Sequence, residues 1–222
     1  MTIYTFAEEC EQVRAFATQY PGVGSTRQPR IRQAHSQMAV WAFCDAIGID
    51  VPRHQWLSGE RKVIVEEVGT PVEETWPVLM LPDNGIADRV DQGRLQDLLS
   101  VQLLAGVEDL GSRNLKIGES GRAYVFDFDK ADQEYQTHNV LPAACTKAKQ
   151  SIRLINEVRS EPLTLDRDML CERTRTIATK INNSVHRDRI LATVRRYDDV
   201  FFDETNESFA DLFANNISCL AT

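Results

Sequence analysis

Gly106 to Ala131 reads GVEDLGSRNLKIGESGRAYVFDFDKA, and the hydrophobic period changes where this stretch begins. Upstream, Leu95, Leu98, Leu99, Gln102 and Leu103 recur at helical spacing, which predicts a helix starting near Asp91 and ending at Gly106. Downstream, Leu115 to Ile117 and Arg122 to Phe126 are short runs separated by Gly118-Glu119-Ser120-Gly121. Glycines at both ends of that tetrad suit a tight turn, so the two runs are predicted to pair as a hairpin. A hairpin brings its open ends together, and here those ends are polar. Asn114 enters the first strand, and Asp127 leaves the second as the start of an Asp-Phe-Asp triplet that closes with Asp129. Asp109 stands in the preceding connection, five residues ahead of Asn114. Pairing in register would gather an amide and a carboxylate at one edge of the hairpin, with Asp109 close by.

Converging oxygen donors of this kind suit magnesium, a hard cation. The segment resembles the catalytic and metal-binding segments of protein-kinase-like phosphotransferases. These place a catalytic-loop Asp, an Asn five residues on, and a metal-binding Asp about thirteen residues later across a hairpin. The spacing from Asn114 to Asp127 is thirteen. The resemblance implies ATP as phosphoryl donor, Asp109 as the base facing the acceptor hydroxyl, and Asn114, Asp127 and Asp129 as oxygen ligands of Mg2+. Taken alone, Asp109 is equally a turn aspartate, a role its side chain favours. Asp129 is equally a polar residue where the family's commonest triplet has Gly. Agreement of spacing, turn and strand pattern favours the functional reading.

Upstream features follow in the same order. KVIVEEV, Lys62 to Val68, contains a β-branched run that predicts a strand. It resembles the kinase strand and hinge that carry adenine contacts, which implies the Glu66 carbonyl and the Val68 amide as backbone partners of the base. AIGIDVPRH, Ala46 to His54, resembles the helix-to-strand passage of small atypical kinases such as the HipA-like and KEOPS-associated families. Active kinases also carry a strand lysine that pairs with a glutamate on the following helix. This chain has no lysine before Lys62 and no acidic residue between Glu11 and Asp45, so both partners are missing. Loss of both is less costly than loss of one, because a single buried charge would be left unpaired. Arg30, with Arg27 and Arg32, is the candidate substitute at the phosphates, since guanidinium forks bind phosphate well; a solvated basic turn is the plain alternative. Val107-Glu108-Asp109 stands where protein kinases have His-Arg-Asp. A literal His186-Arg187-Asp188 occurs in helical sequence with Thr193 in the Asn position, and is read as helix surface.

Elsewhere, Phe6, Cys10, Val13, Phe16 and Ala17 predict a first helix over Phe6 to Gln19, and a second follows from Ile31 to Ala46 with Gly48 capping it. Gly69 to Pro82 reads as a Pro-rich connection, and further helices are predicted near 140–159, 165–182, 186–197 and 205–219. The expected fold class is α+β, and the resemblance implies a kinase-like fold with a reduced N-lobe and hinge over 1–68 and a mainly helical C-lobe over 69–222.

The 222 residues are 42% hydrophobic and 26% charged, and a formal charge of −8 disfavours a broad nucleic-acid surface. No apolar run approaches the roughly 20 residues of a membrane span, no signal peptide is evident, and the five cysteines form no Cys-x-x-Cys pair. The expectation is a cytoplasmic protein with reduced thiols. The expected function is Mg-ATP binding with phosphoryl transfer to a protein or small-molecule hydroxyl. That transfer would be weak, or dependent on a protein partner that completes or regulates the N-lobe. The alternative is an inactive pseudokinase serving as a scaffold.

Overall fold

The computed structural model describes residues 15–19, 28–58, 62–66, 70–72, 85–107, 110, 114–125, 131 and 140–222. In chain order these form β1 (Ala15–Gln19), α1 (Gln28–Ala46), β2 (His54–Leu57), β3 (Lys62–Glu66), β4 (Thr70–Pro71), a short 3-10 turn (Ala87–Arg89) and α2 (Gln92–Leu104). There follow β5 (Leu115–Ile117), β6 (Ala123–Val125), α3 (Val140–Asn156), α4 (Arg167–Asn182), α5 (Arg187–Thr205) and α6 (Phe209–Leu220). The protein is α+β and mostly helical, with two small antiparallel sheets. Among the described residues no helix is long and apolar enough to cross a membrane.

The first sheet has the order β1-β3-β2, with Phe16 opposite Val65 and Trp56 opposite Val63. This corrects the helix expected over Phe6 to Gln19: its last five residues are a strand. A few apolar residues at helical spacing do not decide the period of so short a segment. Here β3, whose Val63 and Val65 are buried, has a second edge that β1 pairs with along its whole length. The rest of that predicted helix lies outside the described residues.

Helix α1 begins three residues earlier than expected, with Pro29 in its first turn, where a fixed φ and a missing amide cost little. Met38, Ala39, Val40, Trp41, Phe43 and Cys44 are all at most 1% exposed, so consecutive residues, not one stripe, are buried. Gly48 ends the helix as predicted. It adopts φ +82, and the Gly48 and Ile49 amides donate to the Asp45 and Cys44 carbonyls at 3.1 and 2.9 Å. Helix α1 packs along α5, α2 along α4, and α4 along α6. Their common core includes Trp41, Phe43, Leu99, Leu103, Phe201 and Phe213.

The second sheet has the order β4-β5-β6. Thr70-Pro71, predicted to be part of a connection, is instead a short edge strand against β5, continued by a 2.7 Å bond from the Val72 amide to the Leu115 carbonyl. An edge position accommodates Pro71, which has no amide to donate. Another moved boundary is that of α5, which runs to Thr205, well past the predicted end at 197. Phe201 extends its buried face by another turn, and Asn206, at φ +51, then stops it. Ser208 opens α6 by accepting from the Asp211 amide.

Candidate functional site

Helix α2 is set by its ends. The Asp91 side chain accepts from the Arg94 amide at 2.7 Å, and Leu95, Leu98, Leu99 and Leu103 are buried, as their spacing predicted. At the other end Gly106 takes φ +75, and the Gly106 and Val107 amides donate to the Leu103 and Gln102 carbonyls. Asn216 of α6 donates to the Leu104 carbonyl at 3.2 Å, satisfying another terminal acceptor. Val107 then forms an isolated antiparallel bridge with Ala131. Between these points the buried Leu110 offers its carbonyl to the Ser151 hydroxyl of α3 at 3.3 Å.

The hairpin forms as predicted, with Leu115 opposite Val125 and Ile117 opposite Ala123. Its turn is closed by Gly118 N–H donating to the Arg122 carbonyl at 2.8 Å and Gly121 N–H donating to the Gly118 carbonyl at 2.9 Å. Gly121 has φ +80, and a Cβ there would collide with the backbone of Arg89. The turn therefore rests on the 3-10 segment, and Arg89 also donates to the Glu119 carbonyl at 2.6 Å. At the open end, the Trp41 indole donates to the Val125 carbonyl at 3.3 Å.

Asn114 is half-buried at the entry to β5. Asp109, Asp127, Asp129 and Val68 lie outside the described residues. Glu66 ends β3, and its carboxylate accepts from the Arg53 amide at 3.2 Å and from Arg53 Nε at 3.4 Å. Arg30 lies in the first turn of α1. Arg32, read as part of the same basic cluster, is engaged elsewhere. Its Nε contacts both carboxylate oxygens of Glu207, at 2.7 and 2.8 Å, and its guanidinium lies 5.8 Å from the centre of the Phe209 ring. The reason is the packing of α1 on the C-terminal helices, which holds this arginine at their surface. Among the described residues no three His, Cys, Asp or Glu side chains group as a cation site would require.

The strongest polar cluster in the described core was not anticipated. His35 is fully buried between Phe201, stacked at 4.9 Å, and Phe209, edge-on at 4.6 Å. Its Nε2 is 2.8 Å from Asp198 Oδ1, and its Nδ1 is 2.9 Å from Thr205 Oγ1. Asp198 also accepts from the Phe209 and Ala210 amides at 3.0 Å and from the Ser208 hydroxyl at 3.1 Å, so it caps the start of α6. Burial acts to raise its pKa, but the bonds from His35 and the two amides outweigh it and hold the carboxyl below its usual value. With no exposure on His35, this histidine and aspartate tie α1 to α5 and α6. His186, Arg187 and Asp188 stand at the start of α5, with His186 and Asp188 exposed as read from the sequence and Arg187 half-buried, donating to the Ser218 hydroxyl at 3.0 Å.

A cleft of about 400 Å³ lies beside the hairpin turn, lined by Gly48, Asp50, Arg89, Arg94, Ser120 and Arg122 among others. Its charges are of both signs, and Arg122 pairs with Asp50 at 3.6 Å. It lies at the opposite end of the hairpin from Asn114 and Val125, and neither Asn114 nor Glu66 lines it. No protein-family model, curated protein or solved structure matches the chain.

Proposed function

We propose that this chain is a kinase-like protein that binds Mg-ATP at the open end of the β5–β6 hairpin, with Asp109, Asn114, Asp127 and Asp129 as the polar set. Phosphoryl transfer to a protein or small-molecule hydroxyl would be weak or dependent on a protein partner. One observation carries the reading. The pairing of Leu115 with Val125 and the bridge between Val107 and Ala131 bracket the two stretches that contain these four residues. Asn114 directly precedes Leu115, and Asp127 is two residues beyond Val125. A chain that advances at most about 3.6 Å per residue keeps both near the open end. The route from the predicted hinge agrees: six residues after Glu66, the Val72 amide is bonded to Leu115. Magnesium held by these oxygen donors would supply charge neutralisation at the phosphates.

A second reading, a pseudokinase acting as a scaffold, is favoured by β1 and α1. They form a strand followed by a helix, the order in which kinases carry their lysine and glutamate. Yet Ala15–Gln19 contains no lysine, and α1 contains no acidic residue before Asp45 in its last turn. Arg32 and His35 of α1 are spent on Glu207 and Asp198.

Titration calorimetry with ATP, with and without Mg2+, tests the binding claim on the wild-type chain and on Asp127→Asn. Magnesium-dependent binding that the substitution abolishes is the expected result. A folded chain that gives no heat in either condition removes the Mg-ATP reading and leaves the scaffold. The expected setting is cytoplasmic.

A further inference from the structure

Cys145 on α3 and Cys171 on α4 are 26 positions apart, yet their Sγ atoms lie 3.1 Å apart, with the Cys171 thiol donating to Cys145. Both are free thiols, with 0% and 4% of their surface exposed. A disulfide needs an S–S distance of about 2.05 Å and facing Cβ atoms. At 3.1 Å the two sulfurs are about 1 Å farther apart than in that bond. We propose that Cys145 and Cys171 form an oxidisable dithiol that a hydroperoxide converts to an intramolecular disulfide stapling α3 to α4. The inference is independent of the phosphotransferase reading.

The two sulfurs have different roles. Burial pushes the Cys145 thiol well above its ordinary pKa, and nearby Arg175 and Arg167 offset only part of that. Cys145 is therefore a protonated thiol with no exposed surface, whereas Cys171 retains a small exposure. Cys171 meets the oxidant first: its sulfur attacks one peroxide oxygen as the thiol proton is given up, the O–O bond breaks, and the departing hydroxide takes up that proton to become water. Cys145 then attacks the resulting sulfenic sulfur, the S–O bond breaks, and the departing hydroxide combines with the Cys145 proton as a second water. Two thiols and one hydroperoxide become one disulfide and two molecules of water, or one water and one alcohol for an alkyl hydroperoxide. Electrons balance, with two lost by the sulfurs and two gained by the O–O bond.

The other described cysteines lack this arrangement and serve as internal controls. Cys44 accepts a 3.0 Å bond from Gln102 Nε2, and burial pushes its pKa up to about 12. Cys219 is only partly buried and reports ordinary surface oxidation.

The test treats the reduced, folded full chain with hydrogen peroxide, quenches with acid, and maps peptides without reduction. The expected product is a Cys145–Cys171 linked peptide lighter by two hydrogens. It should be reversed by dithiothreitol and accompanied by a rise of several degrees in thermal midpoint, as closing a loop of this length implies. In Cys145→Ser a sulfenic acid should be trapped by dimedone on Cys171; in Cys171→Ser neither a link nor that adduct should form. Recovery of both residues as free thiols after Cys219 has reacted overturns the proposal. So does sulfinic acid on Cys171 of the wild-type chain without a link, or a link that forms only in denaturant.

Discussion

The indole N–H of Trp41, buried in the middle of α1, donates to the carbonyl of Val125 at 3.3 Å, and so ties α1 to the last residue of the hairpin. Trp41→Phe keeps most of the apolar volume but leaves this acceptor without its donor. An unmade buried bond of this kind costs about 1–2 kcal/mol. Urea denaturation should show that loss as a lower midpoint with an unchanged slope; an unshifted midpoint means the bond contributes nothing.

Gly121→Ala should be more damaging than Gly118→Ala. At Gly121 the backbone has φ +80 and a Cβ would meet the Arg89 backbone, whereas at Gly118 the nearest atoms, Arg122 O and a Tyr124 ring carbon, are 3.7 Å away. A left-handed non-glycine residue costs about 1–3 kcal/mol before the collision is counted. The ranking is checked by thermal melts of both variants, and equal destabilisation would mean that the turn does not rest on Arg89.

Asp198 sets an acid limit on stability. Its folded pKa is held below the unfolded value of about 3.9, so its contribution is present above that pH and is lost as pH falls through the folded value. Stability measured between about pH 5 and pH 2 should therefore fall more steeply in the wild type than in Asp198→Asn. Asp198→Ala at neutral pH leaves His35 and the start of α6 without their shared partner, for which breaking a buried pair suggests about 3–5 kcal/mol. A parallel pH dependence in wild type and Asp198→Asn would remove this role.

The parts of the fold that were legible in the sequence are those whose causes are local. The Gly118 to Gly121 turn, the switch of period at Gly106, the leucine face of α2 and the Gly48 cap each depend on residues within a turn or two. Ala15–Gln19 was misread because its state is decided by the edge of β3, more than forty residues later. Asp198 follows the same logic. Nothing within a turn of Asp198 marks it as buried, and its partner His35 is 163 positions away. Arg32 looked available for phosphate because Glu207, 175 positions away, leaves no local trace. For the candidate site, the hairpin and its turn were legible in the sequence, and the fold pairs Leu115 with Val125; Asp109 and Asp127 lie outside the described residues.

The isolated chain should transfer phosphate slowly or not at all, even where it binds magnesium and nucleotide. Catalysis of phosphoryl transfer is almost entirely positioning and charge stabilisation, supplied in kinases by the metal at one end of ATP and by the lysine, its glutamate and the glycine-rich lid at the other. Here β1 carries no lysine, α1 no glutamate, and Arg32 is already paired with Glu207. If each missing electrostatic contact costs about 3 kcal/mol, two of them lower the rate by roughly four orders of magnitude. Transfer of radiolabel from γ-labelled ATP, measured on the wild-type chain and on Asp127→Ala, checks this. The expected outcome is a signal near background in both. Robust turnover in the wild type, abolished by the substitution, would mean that other groups in this chain hold the far end of the nucleotide.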